Sequence, residues 1–190
     1  MKEEPQGDQQ PVEEVKMTEP NPDGFFADTA DANACSVRVA VRIRPLIGKE
    51  LREGSAICVE TREKDNQIII GKDRAFTFDM TFGMDSFQQV VFERTVKNLV
   101  LGCFLGYNAT ILAYGQTGSG KTFTMGSGYT IGVKEEDLGI IPRVIRMIFD
   151  EKEARKNKAE VIIKCSFLEI YNEELHDLLE RNMSTSGMVN

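Results

Sequence analysis

The chain has 190 residues, 41% of them hydrophobic and 28% charged, enough apolar side chain for one globular domain with a core. Its net charge of −7 is uneven: residues 1–35 hold two lysines against nine acids, which leaves 21 basic and 21 acidic residues of the totals of 23 and 30 for residues 36–190. A neutral body lacks the basic excess that neutralises phosphates along a polymer, so no nucleic-acid partner is expected, and four dispersed cysteines (Cys35, Cys58, Cys103, Cys165) with a single histidine, His176, argue against zinc and for reduced thiols in an intracellular protein.

Residues 1–34 are rich in Pro, Gly, Gln and acids and poor in large apolar groups. Such a segment buries too little surface to offset its ordering entropy, and a disordered acidic tail is predicted. It has neither the apolar run of a secretory signal nor the basic character of a mitochondrial presequence. The uncharged stretch 98–120 is interrupted by Asn98, Asn108, Gln116 and several glycines, so no membrane span is expected.

Order begins at Val37. Val37–Ile43 reads as a β-branched strand stopped by Arg44–Pro45, and Gln67–Ile70 and Ala75–Asp79 as two short strands around the turn at Gly71–Asp73. Ser86 followed by Gln89 fits a capping box, opening a helix whose Phe87, Val90, Val91, Val96, Leu99, Val100 and Cys103 recur at helical spacing and which Gly106 can end. Thr110–Tyr114 reads as a buried strand, followed by a glycine-rich segment and a helix from about Gly120. A polar loop at Ser127–Leu138 interrupts that helix. It resumes at Pro142–Ala154, with Val144, Ile145, Ile148 and Phe149 facing inward, and Glu160–Tyr171 reads as a long strand. Strands alternating with helices predict an α/β fold of the P-loop NTPase type, three layers with helices on both faces of a mixed, mostly parallel sheet.

Gly115-Gln116-Thr117-Gly118-Ser119-Gly120-Lys121-Thr122 matches the pattern G-x-x-x-x-G-K-S/T at every defined position. Glycines let the backbone curl until successive N–H groups converge on phosphate oxygens, where side chains would obstruct. The helix beginning there adds the positive end of its dipole, Lys121 supplies a charge to the β/γ-phosphates, and the Thr122 hydroxyl is the candidate Mg²⁺ ligand.

Hydrolysis further requires groups that sense the γ-phosphate and position water. Glu169, near the end of the last strand, is the sole downstream candidate for a second magnesium-holding acid and reads as an ordinary strand residue. His176 reads as a surface residue of an amphipathic stretch rather than a base. No catalytic residue is identified.

Four blocks then resemble the kinesin motor domain in order and spacing: Arg42–Pro45 (RIRP), Gly106–Met125 (GYNATILAYGQTGSGKTFTM), Gly139–Pro142 (GIIP) and Phe167–Leu179 (FLEIYNEELHDLL). The phosphate loop is shared by many NTPases, whereas the four together are specific. The resemblance covers about Ser36 to Glu180, and its wording is most like the chromokinesin group. It implies ATP and Mg²⁺ as cofactors, a microtubule partner, a cytoplasmic location on the microtubule cytoskeleton, and an adenine pocket walled by Arg42 and Pro45, with Tyr107 and Phe123 near the ring and Arg44 less firmly placed. Core packing is the competing role for Tyr107 and Phe123.

The kinesin switch segments N-x-x-S-S-R-S-H and D-x-x-G-S-E do not occur in the 190 residues. The reading is therefore of a motor domain truncated after its first half: a tail at 1–34, the front of the motor domain at 35–180 and an irregular end at 181–190. Such a chain is expected to bind nucleotide without turnover or motility, and to leave sheet edges and apolar faces uncovered that make it marginally stable and prone to aggregate. The alternatives are a P-loop kinase or NTPase outside this family that uses Glu169 for magnesium, and a catalytically silent short isoform acting as an interaction protein through its acidic tail.

Overall fold

The computed structural model describes residues 37–126 and 132–180. The predicted acidic tail, the end at 181–190 and residues 127–131 of the polar loop lie outside the described residues. The chain divides into two compact units at Ile148/Phe149, taken in turn.

In the first unit, β1 (Ala40–Arg42) pairs in parallel with β5 (Met80–Phe82), Val41 opposite Thr81. Helix α1 (Gly48–Arg52) follows Pro45. Strands β2 (Val59–Arg62), β3 (Gln67–Ile70) and β4 (Arg74–Thr77) make an antiparallel meander, with Ile68 opposite both Thr61 and Phe76. Its β2–β3 connection contains a short 3₁₀ turn at Glu63–Asp65 and Asn66 in the left-handed conformation (φ 52°), which asparagine tolerates.

Helices α2 (Gln88–Thr95) and α3 (Lys97–Cys103) stand where one continuous helix is predicted. Val96 between them departs from helical geometry (φ −116°, ψ −39°), and the Thr95 hydroxyl donates back to the Val91 carbonyl at 2.6 Å, competing with the backbone ladder. The predicted capping box does not form. Phe87 occupies the N-cap position without a side-chain cap, Ser86 Oγ donates to Glu63 Oε1 (3.3 Å), and Gln89 donates to Glu93 (2.8 Å) instead of reaching back.

The core gathers Phe92, Val96, Val100 and Ile140, with Phe104, Ile111, Met125, Val144, Met147 and Ile148 packed against it. Of the predicted apolar stripe, Val91, Val96 and Val100 are buried, whereas Phe87, Val90 and Cys103 are exposed. Helix α5 (Ile140–Arg155) begins two residues before the predicted start; it turns Val144 and Ile148 inward as expected, but Ile145 and Phe149 are exposed.

Thr110–Tyr114 forms no ladder among the described residues. Leu112 is 84% and Tyr114 94% exposed, while Ile111 and Ala113, alternating with them, are half-buried. The two-residue alternation of an extended segment survives, but a buried strand also needs neighbours along both edges.

In the second unit, only the last four residues of the predicted Glu160–Tyr171 strand pair. β6 (Leu168–Tyr171) forms a hairpin with β7 (Glu174–Asp177). Asn172 (φ 50°) and Glu173 (φ 68°) both take left-handed conformations, as a two-residue hairpin of this twist requires. Both strands are exposed along their length. Among the described residues, no helix is long and apolar enough to cross a membrane.

Candidate nucleotide site

The loop Gly115–Gly120 turns through three glycines at positive φ, Gly115 (151°), Gly118 (80°) and Gly120 (98°). A Cβ at the first would lie 2.5 Å from Ser119 Oγ and force that side chain to shift, and the φ there is one that L side chains rarely adopt. Ser119 N–H closes the turn onto the Gln116 carbonyl at 3.1 Å. Helix α4 (Lys121–Met125) leaves the loop directly, with Thr124 N–H donating to the Gly120 carbonyl at 2.9 Å.

Lys121 sits on the first turn of α4 and folds over the loop that precedes it. Its Nζ donates to the carbonyls of Gly115 (2.8 Å) and Gln116 (2.9 Å), so the ammonium is held by the backbone that the glycines curl around it. Thr122 is exposed beside it, with an oxygen of the right type for a hard divalent cation. The described residues contain no cluster of three or more His, Cys, Asp or Glu able to hold a metal.

A cleft of roughly 310 Å³ opens beside the loop, lined among others by Arg42, Pro45, Phe87, Ser119, Gly120 and Phe123. The structure thus brings together Arg42, Pro45, Phe123 and the back of the phosphate loop. Tyr107 does not line this cleft; it lies 53% exposed just after α3, its N–H on the Gly102 carbonyl.

Arg42 is anchored rather than free. Nη1 donates to Gln88 Oε1 (2.6 Å) and Thr124 Oγ1 (3.0 Å), Nη2 donates to the Ser86 carbonyl (2.9 Å), and the guanidinium stacks over Phe123 at 5.3 Å. Burial pulls its pKa below the ordinary arginine value. Arg44 lines the same cleft; its Nε donates to the Gly118 carbonyl (2.8 Å), and its fork grips both oxygens of Glu50 (2.7 and 2.5 Å). That contact, with the Ile47 N–H, holds the Glu50 carboxyl down at about 2 and raises the Arg44 pKa.

Two contributors escape the motif reading. Gln88 is 4% exposed, and its amide donates to the carbonyls of Phe123 (2.6 Å) and Asp137 (3.2 Å) while its oxygen accepts from Arg42. Its sequence signal is a polar residue on the apolar stripe of α2, three and four residues before Val91 and Phe92. Glu50 gives only the weaker signal of an acid in the first turn of α1. Glu169 and His176 face each other in the β6–β7 register, and His176 Nε2 lies 3.6 Å from Glu174.

Known proteins resemble this chain in sequence and in fold. The family model described as the kinesin motor domain matches residues 42–189. Kinesin-like protein KIF21B of Homo sapiens is 47% identical over 154 residues, covering 77% of this chain and 9% of the relative. Chromosome-associated kinesin KIF4A of Homo sapiens is 49% identical over 144 residues, covering 75% and 12%.

Two solved structures of Drosophila NOD also match. One, in complex with divalent manganese and ADP, has a TM-score of 0.65 at 34% identity, covering 76% of this chain and 48% of the other. The second, docked with bovine tubulin into a map of nucleotide-free NOD on the microtubule, has a TM-score of 0.66 at 33% identity with the same coverage. This chain therefore spans about a tenth of the curated relatives' length (9% and 12%) and about half (48%) of the solved ones. It has the α/β fold of those structures and belongs to the kinesin motor domain family.

Proposed function

We propose that this chain is the nucleotide-binding part of a kinesin microtubule motor, taking ATP or ADP with Mg²⁺ at the loop Gly115–Thr122. One observation carries the reading: Lys121 Nζ lies within a loop wound through left-handed glycines, next to a cleft of nucleotide-compatible size walled by Arg42, Pro45 and Phe123. Loop amides from Gly115 to Gly120 would orient the phosphates, Lys121 would exchange its carbonyl partners for phosphate oxygens, and the Thr122 hydroxyl would help to hold a magnesium ion, whose charge would offset theirs. The base lies against Arg42, Pro45 and Phe123; Tyr107, which stands outside the cleft, is the further adenine contact that the kinesin resemblance implies. The motor-domain part is assigned to residues 35–180.

ATP hydrolysis coupled to movement along microtubules, and a place on the cytoplasmic microtubule cytoskeleton, are proposed for the complete motor. Binding without turnover is proposed for these 190 residues, since neither switch segment occurs in the sequence. Calorimetric titration of the chain with Mg·ATP and Mg·ADP tests the binding. Lys121→Ala is expected to weaken uptake by about ten- to a hundredfold, the loss of one charged hydrogen-bonding group. Absence of uptake by the folded parent chain at millimolar nucleotide refutes the reading. Microtubule-stimulated turnover by the chain alone refutes the assignment of binding only.

A further inference from the structure

Arg44 joins the phosphate loop to a carboxylate outside it. Its Nε donates to the Gly118 carbonyl at 2.8 Å, while Nη1 and Nη2 donate to Glu50 Oε2 (2.7 Å) and Oε1 (2.5 Å), and Nη1 also reaches the Pro45 carbonyl (2.9 Å). Glu50 is itself fixed, accepting from the Ile47 N–H at 3.0 Å where α1 begins. All three guanidinium nitrogens are engaged, so the planar fork has one orientation.

The Gly118 carbonyl and the Ser119 N–H belong to one rigid peptide plane and point in opposite directions. Gly118 is the left-handed residue of the turn (φ 80°), where backbone freedom is greatest and the plane flips most readily. Holding its oxygen therefore aims the next N–H inward, where it meets the Gln116 carbonyl at 3.1 Å. We infer that Glu50 is a positioning residue for the phosphate loop, acting through Arg44 to lock the Gly118–Ser119 peptide, although Glu50 does not line the nucleotide cleft.

The inference rests on reading Gly115–Thr122 as a nucleotide site. It predicts a loss that depends on the phosphates: Glu50→Gln weakens ADP binding by about three- to tenfold, as one charge-assisted pair is reduced to a neutral contact, and leaves adenosine binding unchanged. A carboxylate that merely staples α1 would alter neither.

The test has two arms on the full chain. In nucleotide-free protein, amide hydrogen exchange at Ser119 and Gly120 is compared among the parent chain, E50Q, R44K and the pair R44A and R44A/E50Q. Faster exchange in E50Q and R44K, with R44A/E50Q no faster than R44A, supports the inference. Parental exchange in E50Q, or additive effects in the double variant, overturns it. Fluorescence titration with ADP and adenosine forms the second arm, and equal losses for both ligands also overturn the inference. If the parent chain takes up no ADP, the nucleotide reading fails by itself and the exchange arm still decides the role of Glu50.

Discussion

Gln88 Oε1 accepts a 2.6 Å hydrogen bond from Arg42 Nη1, joining the first turn of α2 to the end of β1. Through its amide nitrogen the same side chain holds the carbonyls of Phe123 and Asp137, so one nearly inaccessible residue fixes the guanidinium wall of the cleft, helix α4 and the 3₁₀ turn at Glu135–Asp137. Three polar partners are satisfied at a position that helical periodicity assigns to the core.

Replacing Gln88 by Met keeps the volume and strands those partners. The expected cost is about 2–3 kcal/mol of stability, the penalty for leaving buried polar groups unpaired. Thermal unfolding measures it. Gln88→Glu is expected to destabilise as well, because it keeps the acceptor for Arg42 but turns a carboxylate towards two carbonyl oxygens. A melting temperature unchanged in Q88M contradicts this view of the cleft.

The Arg44–Glu50 pair sets a pH limit. The folded-state pKa of Glu50, about 2, lies below the ordinary 4.5, so the unfolded chain binds the proton more readily. The pair's contribution is complete above the ordinary carboxylate range and fades as the pH falls through it towards 2. Melting temperatures of the parent chain and Glu50→Gln are expected to differ at neutral pH and to converge in acid. A constant gap down to the lowest accessible pH counts against the linkage.

Gly126 and Gly139 cross with their backbones in direct contact, and a Cβ on Gly139 would collide with the N and Cα of Gly126 and the carbonyl carbon of Met125. Gly139→Ala is therefore expected to force the two segments apart at a cost of about 1–3 kcal/mol, the usual scale of overpacking. Chemical denaturation provides the number, and a neutral G139A chain means that the crossing yields without strain.

Chemistry that is local in sequence was legible in advance. The loop Gly115–Thr122 needs consecutive residue types, so a short pattern locates it, and the RIRP segment carries Arg42 and Pro45 to the same cleft. Helix α5 followed from its apolar spacing. What escaped depends on distant partners. Ser86 and Gln89 spell a capping box, but Glu63 and Glu93 claim their side chains. Thr110–Tyr114 is apolar enough for a central strand, yet no ladder partner stands beside it among the described residues. The β6–β7 hairpin turns on Asn172–Glu173, a pair without the glycine that usually announces such a turn. Gln88 and Glu50 look like ordinary helix residues until the arginines they hold, 46 and six positions away, are placed beside them.

The Gly126–Gly139 crossing also bears on how this region tolerates change. With the two ends of the intervening segment pinned together, the scaffold sees the same anchor points whatever length of chain runs between them. Each doubling of such a tethered span adds only about 0.6 kcal/mol of closure entropy. The turn at Glu135–Asp137 lies between the two glycines and carries the Asp137 carbonyl that Gln88 holds, so a change in chain length there is insulated from Lys121 and Thr122 only if it leaves those three residues in place.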